Sequence, residues 1–317
     1  MLMLAGAIAT ASFFSGRISE LRAADGQPAT VERVAYHGWA DALRMRSDTA
    51  EVVVVPEIGR VMSFRLLDGE NVFWEDHSLD GKRGDVSGKE WINFGGDKTW
   101  PAPEGEWGKH TGRTTWMPPA AFDSMAVAAS VEGHDVVLTS PEDPHYGIRT
   151  IRRVQLDGSR LRIATTYERV SGAPAKIGIW VITQFKEPVA VHAPAVADAA
   201  FPDGYSILFG KPWTQIVRTK HDGADRIEIT RDPAAAHKMA CAAGEITWIG
   251  EKETCFVTSA RVAGAEYPDG GASAEVYTNP NPKKYVELEM LGPLSEMKPG
   301  DRISQVNGYE LRKNIAR

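Results

Sequence analysis

Thr150-Ile151-Arg152-Arg153-Val154-Gln155-Leu156, then Asp157-Gly158, then Arg160-Leu161-Arg162-Ile163-Ala164-Thr165-Thr166-Tyr167-Glu168, read as two strands folded back on each other. Both runs have strand length and β-branched content, and Gly158 supplies the positive φ that a tight hairpin needs. Working outward, the same pattern is expected at Arg60 to Leu67 and Asn71 to Trp74 around Asp68-Gly69-Glu70, with Gly69 supplying the positive φ. It recurs at Ala126 to Glu132 and Asp135 to Thr139 around Gly133-His134. Val52 to Val55 is a β-branched run closed by Pro56, and Ala175 to Phe185 is a long apolar one. Further strands are expected at Val189 to Ala193, Tyr205 to Phe209, Arg226 to Thr230, Thr254 to Val262, Ala274 to Thr278, Tyr285 to Leu291 and Arg302 to Arg312. Helix signals are scarce; Asp232 as cap and Pro233 as first residue predict a turn or two before His237. Many close hairpins with little helical period predict an all-β, antiparallel sandwich or barrel and exclude a doubly wound parallel sheet.

The bulk numbers agree with one large β domain. The chain has 317 residues, 43% hydrophobic and 25% charged, with a formal net charge of -6. That charge argues against general nucleic-acid binding, which needs a basic face. It is no obstacle to a neutral sugar. Met1 to Gly16 is uncharged and apolar, too short to span a bilayer at about 20 residues but suited to a signal peptide. No Lys or Arg precedes Arg17. The expectation is a signal segment over 1–24, a single domain over 25–317, and export to the periplasm or the exterior, without membrane attachment once the leader is removed. Cys241 and Cys255 either bridge neighbouring antiparallel strands or remain two buried thiols, and they give no metal signature.

One region resists the strand reading. Asp76 to Pro119 is rich in Gly, Trp, Lys and Pro and reads as a long loop, of the kind that often carries function. Within it lies Asn93-Phe94-Gly95-Gly96-Asp97-Lys98-Thr99-Trp100-Pro101-Ala102-Pro103-Glu104. The glycine pair allows a turn or a close approach barred to other residues. Asp97, Lys98 and Glu104 offer both charge signs beside Trp100, whose face can stack on a sugar ring; the alternative is an aromatic loop packed for stability. Gly-Asp-Lys-Thr is not a phosphate loop, because glycine does not directly precede the lysine. His110 and Arg113 follow, as possible acid and electrostatic clamp. In Tyr285 to Leu291, strand alternation puts Val286, Leu288 and Met290 on one face and Tyr285, Glu287 and Glu289 on the other. The two carboxylates stand roughly 7 Å apart along the strand, either a working acid pair or a solvated polar face. No nucleophile elbow, zinc-peptidase motif or dinucleotide fingerprint is present.

These pieces together resemble the galactose mutarotase-like superfamily, and more narrowly its DUF4380 branch, over about Tyr36 to Arg312. The resemblance rests on Val55-Pro56-Glu57-Ile58-Gly59-Arg60-Val61, on Gly95 to Glu104 (where that branch usually has Arg in place of Lys98), and on Glu287-Leu288-Glu289-Met290-Leu291-Gly292-Pro293 followed by Pro299-Gly300-Asp301. It implies a supersandwich that binds sugar or oligosaccharide. It also implies Glu289 as the base that takes the anomeric proton. The strand expected to carry the partner histidine, Gly178 to Gln184, has none but contains Trp180, so the acid role passes to His110. The expected binding set is Asn93, Asp97, Lys98, Trp100, Glu104, Arg113, Trp180 and Glu287, with no cofactor and no metal ligand set. Three readings follow: a carbohydrate-binding protein, an aldose 1-epimerase-type isomerase with Glu289 and His110, and an interaction domain whose groove is incidental.

Overall fold

A computed structural model describes residues 28–87, 90–221 and 223–314; the expected signal segment over 1–24 lies outside them. The structure is two antiparallel sheets. The larger runs in spatial order β1 (Thr30–Tyr36), β2 (Trp39–Arg46), β3 (Ala50–Val55), β4 (Arg60–Leu66), β5 (Asp97–Ala102), β10 (Ala175–Lys186), β19 (Tyr285–Leu291), β18 (Ala274–Thr278), β15 (His237–Cys241), β12 (Ser206–Phe209), with β20 (Ser295–Met297) on the start of β10. The smaller runs β13 (Ile216–His221), β14 (Ala224–Ile229), β11 (Ala190–Pro194), β16 (Glu245–Ile249), β17 (Glu253–Ser259), β21 (Arg302–Lys313), β9 (Arg160–Arg169), β8 (Ile148–Asp157), β7 (Asp135–Thr139), β6 (Ala128–Glu132). Among the described residues no helix is long and apolar enough to cross a membrane.

One core joins the facing sides of the sheets. Val286, Leu288 and Met290 of β19 bury there with Phe185, Val276 and Met239 of their own sheet and with Val154, Ile163, Val257 and Leu311 of the other. Removing such side chains from water is the main term holding two sheets face to face, at about 1.5–3 kcal/mol each. The predicted Asp157-Gly158 hairpin joins β8 to β9 across ten residue pairs, with Gly158 at φ 54°.

Three expectations are corrected. The Asp68-Gly69-Glu70 hairpin does not form as expected: Gly69 is not at positive φ, and Asn71 to Trp74 makes only a single bridge, Phe73 to Phe185 of β10, while the Asn71 side chain accepts from the backbone N–H groups of Phe64 and Phe73, both at 3.0 Å. Asp232 to His237 is a turn rather than a helix, because Asp232 binds the Ala234 N–H (2.8 Å) and the His237 ring (3.0 Å). The 76–119 loop contains a central strand, β5. Gly95 and Gly96, at φ 96° and 70°, turn the chain into it; a Cβ would meet Trp74 O at 2.1 Å from Gly95 and Val61 O at 2.5 Å from Gly96. Pro101 is tolerated because β4 pairs with β5 only at Val61–Asp97, leaving no ladder that needs its missing N–H. Cys241 and Cys255 are free, buried and on strands of different sheets. Burial pushes the Cys241 thiol up to about 12 and raises Cys255 as well.

Candidate functional site

The outer face of the larger sheet, turned away from the shared core, is where the glycine-pair segment and the late acidic strand meet. Antiparallel register arranges its side chains in rows, because directly paired residues point to the same side. Trp100, Trp180 and Leu291 make one row. Lys98, Ile182, Glu289, Glu275 and Ala240 make the next. Gln184, Glu287, Tyr277 and Lys238 make the third. Every residue of β19 is buried, so Glu287 and Glu289 do not form a solvated face.

Five tryptophans close one end. Trp100 lies 5.3 Å from Trp107, 5.4 Å from Trp180, 5.9 Å from Trp116 and 6.2 Å from Trp91, between ring centres. Trp91, Trp107 and Trp116 all come from the 76–119 segment, and Trp116 remains 48% exposed at the rim. Its indole N–H donates to Glu104 at 2.5 Å. Two lysines sit on the rings. The ammonium of Lys98 is 4.4 Å from the Trp100 centroid and that of Lys238 is 4.6 Å from Trp180, within the range where ring quadrupoles attract cations.

Charge and hydrogen bonding link the rows. Glu289 Oε2 accepts from Trp180 Nε1 at 2.7 Å and from Lys238 Nζ at 2.9 Å, and Lys238 also reaches Glu275 at 2.6 Å. Gln184 donates to Glu287 at 2.7 Å, and Asn93 to the Tyr285 hydroxyl at 3.3 Å. Arg60, fully buried, pairs with Asp123 at 3.0 Å and donates to Gly95 O. Burial acts against the Lys98 charge and Arg60 repels it; Glu287, Asp123 and Glu289 only partly compensate, leaving its pKa brought down to about 8. Lys238 goes the other way: burial opposes its charge, but Glu289 and Glu275 outweigh it and raise its pKa. Burial raises Glu275, Glu287 and Glu104, against the pull of nearby lysines.

Several buried polar atoms on this face have no hydrogen-bond partner among the described residues: Lys98 Nζ, Asn93 Oδ1, Gln184 Oε1 and Glu289 Oε1. Such atoms are uncommon in folded proteins, and several together on one face point to a ligand that both donates and accepts. A hollow of about 190 Å³ lies elsewhere, against Asn71, Lys186, Trp248 and Lys252. Its polar groups pair among themselves, as Glu70 does with Lys252 (3.5 Å) and Lys186 (3.9 Å); space alone does not make it the better site.

No protein-family model matches the chain, and no curated protein matches it in sequence. Among solved structures it is similar to a protein of Synechocystis, with a TM-score of 0.57, 11% identity, and coverage of 89% of this chain and 100% of that one. It is similar to an aldose 1-epimerase candidate of Escherichia coli K12 (TM-score 0.55, 12% identity, 90% and 100% covered). A galactose mutarotase-like protein of Clostridium acetobutylicum gives TM-score 0.55, 10% identity, and 90% and 99% covered. The fold is galactose mutarotase-like. At such identities the likeness speaks for the fold and not for chemistry.

Of the sequence-predicted residues, this galactose mutarotase-like sandwich gathers Asn93, Lys98, Trp100, Glu104, Trp180, Glu287 and Glu289 on one face. Asp97 is not among them. As the odd neighbour of Lys98 it points between the sheets, where Arg152 pairs with it and Thr183 and Tyr309 donate to it at 2.7 Å each. His110 is not brought to Glu289 either: its ring stacks on Tyr146, 4.1 Å between centres, and the charges acting on it are Arg169, Glu106, Asp143 and Lys109. Arg113 belongs to the same neighbourhood, where its charge acts on Asp143. The sequence reading missed Lys238, Glu275, Tyr277, Gln184 and the Arg60–Asp123 pair. The period-two alternation of Ala274 to Thr278, which sets Glu275 and Tyr277 on one face, was the available signal for two of them.

Proposed function

We propose that this chain is an exported carbohydrate-binding protein whose ligand lies on the outer face of the larger sheet, between the tryptophan cluster and Glu289. One observation carries this reading. Buried donors and acceptors without protein partners stand beside aromatic faces, the combination that a polyhydroxylated ring satisfies with its hydroxyls and its apolar sides. The fold is consistent with a sugar ligand. The narrower DUF4380 placement rests on the Gly95 to Glu104 and Glu287 to Pro293 motifs. Titration of a panel of neutral mono- and oligosaccharides, followed by calorimetry and by indole fluorescence, tests it. A saturable response that Lys98→Met weakens supports the site; no saturable response to any sugar removes it.

A second reading is favoured by Glu289, whose Oε1 has no hydrogen-bond partner among the described residues and which shares the Ile182 register with Lys98. An aldose 1-epimerase-type isomerase needs a base for the anomeric hydroxyl and a donor for the ring oxygen. Glu289 fits the first role. His110 is not positioned for the second; Lys98, with its depressed pKa, is a donor on the same face whose ammonium has no hydrogen-bond partner among the described residues, whereas Lys238 is held by Glu289 and Glu275. Polarimetry on fresh α-anomers separates the readings: a rate above buffer that Glu289→Gln abolishes establishes catalysis, and binding without any such rate leaves a lectin-like protein.

A further inference from the structure

Two histidines and an aspartate converge from two separate loops. His37 lies in the turn between β1 and β2, while His77 and Asp80 belong to the 3₁₀ turn His77–Leu79 and its cap. The ligating atoms of the three all lie within 4.8 Å of one another. His77 Nδ1 is 3.3 Å from both carboxylate oxygens of Asp80, and His37 Nδ1 is 3.8 Å from Oδ2. A tetrahedral zinc site, with bonds of about 2.0–2.2 Å, has edges of about 3.3–3.6 Å between its ligand atoms. The His77–Asp80 edge already has that length, and the His37–Asp80 edge is a little longer.

Rigid backbone holds the two loops in register. Gly38 and Gly81, both at positive φ, touch backbone to backbone: a Cβ on Gly38 would meet the Gly81 Cα at 3.0 Å, and one on Gly81 would meet the Gly38 Cα at 3.2 Å. The Trp39 indole N–H donates to Lys82 O at 2.8 Å, just beyond the same contact. His37 itself has φ 45°, a conformation few non-glycine residues adopt. The side chains are accessible, 41% for His37, 61% for His77 and 32% for Asp80. A second carboxyl, Glu75, feels the charge of both histidines.

We infer that His37, His77 and Asp80 form a binding site for a divalent transition-metal ion of the zinc class, with the remaining position open to solvent. Two imidazoles and one carboxylate suit Zn²⁺, Ni²⁺ or Cu²⁺ and disfavour Mg²⁺ and Ca²⁺, which take oxygen ligands. The test is equilibrium dialysis of the full chain against Zn²⁺ in excess Mg²⁺ at neutral pH, with Co²⁺ absorption as a reporter of coordination. The expected result is one equivalent of Zn²⁺ retained. His77→Ala, and the double change with His37→Asn, which keeps a residue tolerant of positive φ, should weaken that binding by at least about tenfold, the low end of what losing even an outer partner of a metal ligand costs. Thermal stability of the metal-free variants serves as the folding check, since the altered groups are exposed. Retention of the same equivalent at unchanged affinity by the double variant would overturn the site, as would an absence of Zn²⁺ retention by the wild type.

Discussion

Lys98 and Glu289 both pair in register with Ile182, one from β5 and the other from β19. Their backbones are thus two strand spacings apart, about 10 Å, with a single apolar side chain between them. Each presents toward the same face a buried polar atom without a hydrogen-bond partner among the described residues. A carboxylate and an ammonium are thus presented to the same face over an apolar floor, an acceptor and a donor for the ligand proposed above. The spacing is set by sheet register rather than by loops, so it is rigid before any ligand arrives.

Replacing Lys98 with Met should weaken sugar binding by about tenfold or more, since a hydrogen bond from a charged donor contributes about 1.5–3 kcal/mol. Folding should not suffer equally. The ammonium is buried and its surroundings work on balance against the charge, so a neutral side chain of similar length removes an unfavourable term. Calorimetric titration alongside thermal melts checks both: affinity falls while Tm stays level or rises.

The same lysine gives a pH signature. Its folded pKa of about 8 lies below the ordinary lysine value of 10.5, so between these values the unfolded chain holds more protons than the folded one. Stability contributed through Lys98 therefore rises with pH across that window, by up to about 3 kcal/mol. Denaturant midpoints of wild type minus Lys98→Met, from pH 8 to 10, should show this rise; a flat difference would mean that the ammonium is better compensated than its contacts indicate.

The fold was legible because the strand signals are local: Asp157-Gly158 set a hairpin and the β-branched runs set its arms. The acidic strand was legible for the same reason, since period-two alternation put Glu287 and Glu289 together whatever the rest of the chain did. Asp97 is placed wrongly when 76–119 is read as one loop, because β5 lies within it. Once those residues are a strand, alternation sends Asp97 and Lys98 to opposite faces, and only Lys98 reaches the site. Lys238 was invisible for another reason. Its meeting with Glu289 crosses β18 and depends on sheet order, which no local pattern encodes. His110 had the right chemistry in the right segment, but Trp107 on the same short helix is the side chain that reaches Trp100 and Trp180.

Asp97→Ala should destabilise the protein by about 3–5 kcal/mol, because Arg152 is left as an unpaired buried cation. The hydroxyls of Thr183 and Tyr309 lose their acceptor in the same step. Sugar affinity of the folded fraction should be unchanged, since Asp97 faces the core between the sheets. Chemical denaturation gives the first quantity and titration below the unfolding transition gives the second; a selective loss of affinity would return Asp97 to the binding face.

His110→Ala separates the sequence expectation from the geometry most directly. If the ring serves only to stack on Tyr146, its removal should cost about 1 kcal/mol of stability and leave sugar affinity and any anomerisation rate as they were. Burial, with Arg169 adding to it, holds the His110 pKa below the usual 6.5, so the folded state favours the neutral ring. The stabilisation is present in full above the ordinary histidine pKa and is lost as pH falls through the lower folded value, so the gap between wild type and variant should narrow on acidification. Melting curves at several pH values, read beside titrations at neutral pH, decide it. An intact fold with binding or turnover reduced tenfold would place the imidazole at the ligand after all, and would require the helix Trp107–Thr111 to present His110 to Glu289 when sugar is bound.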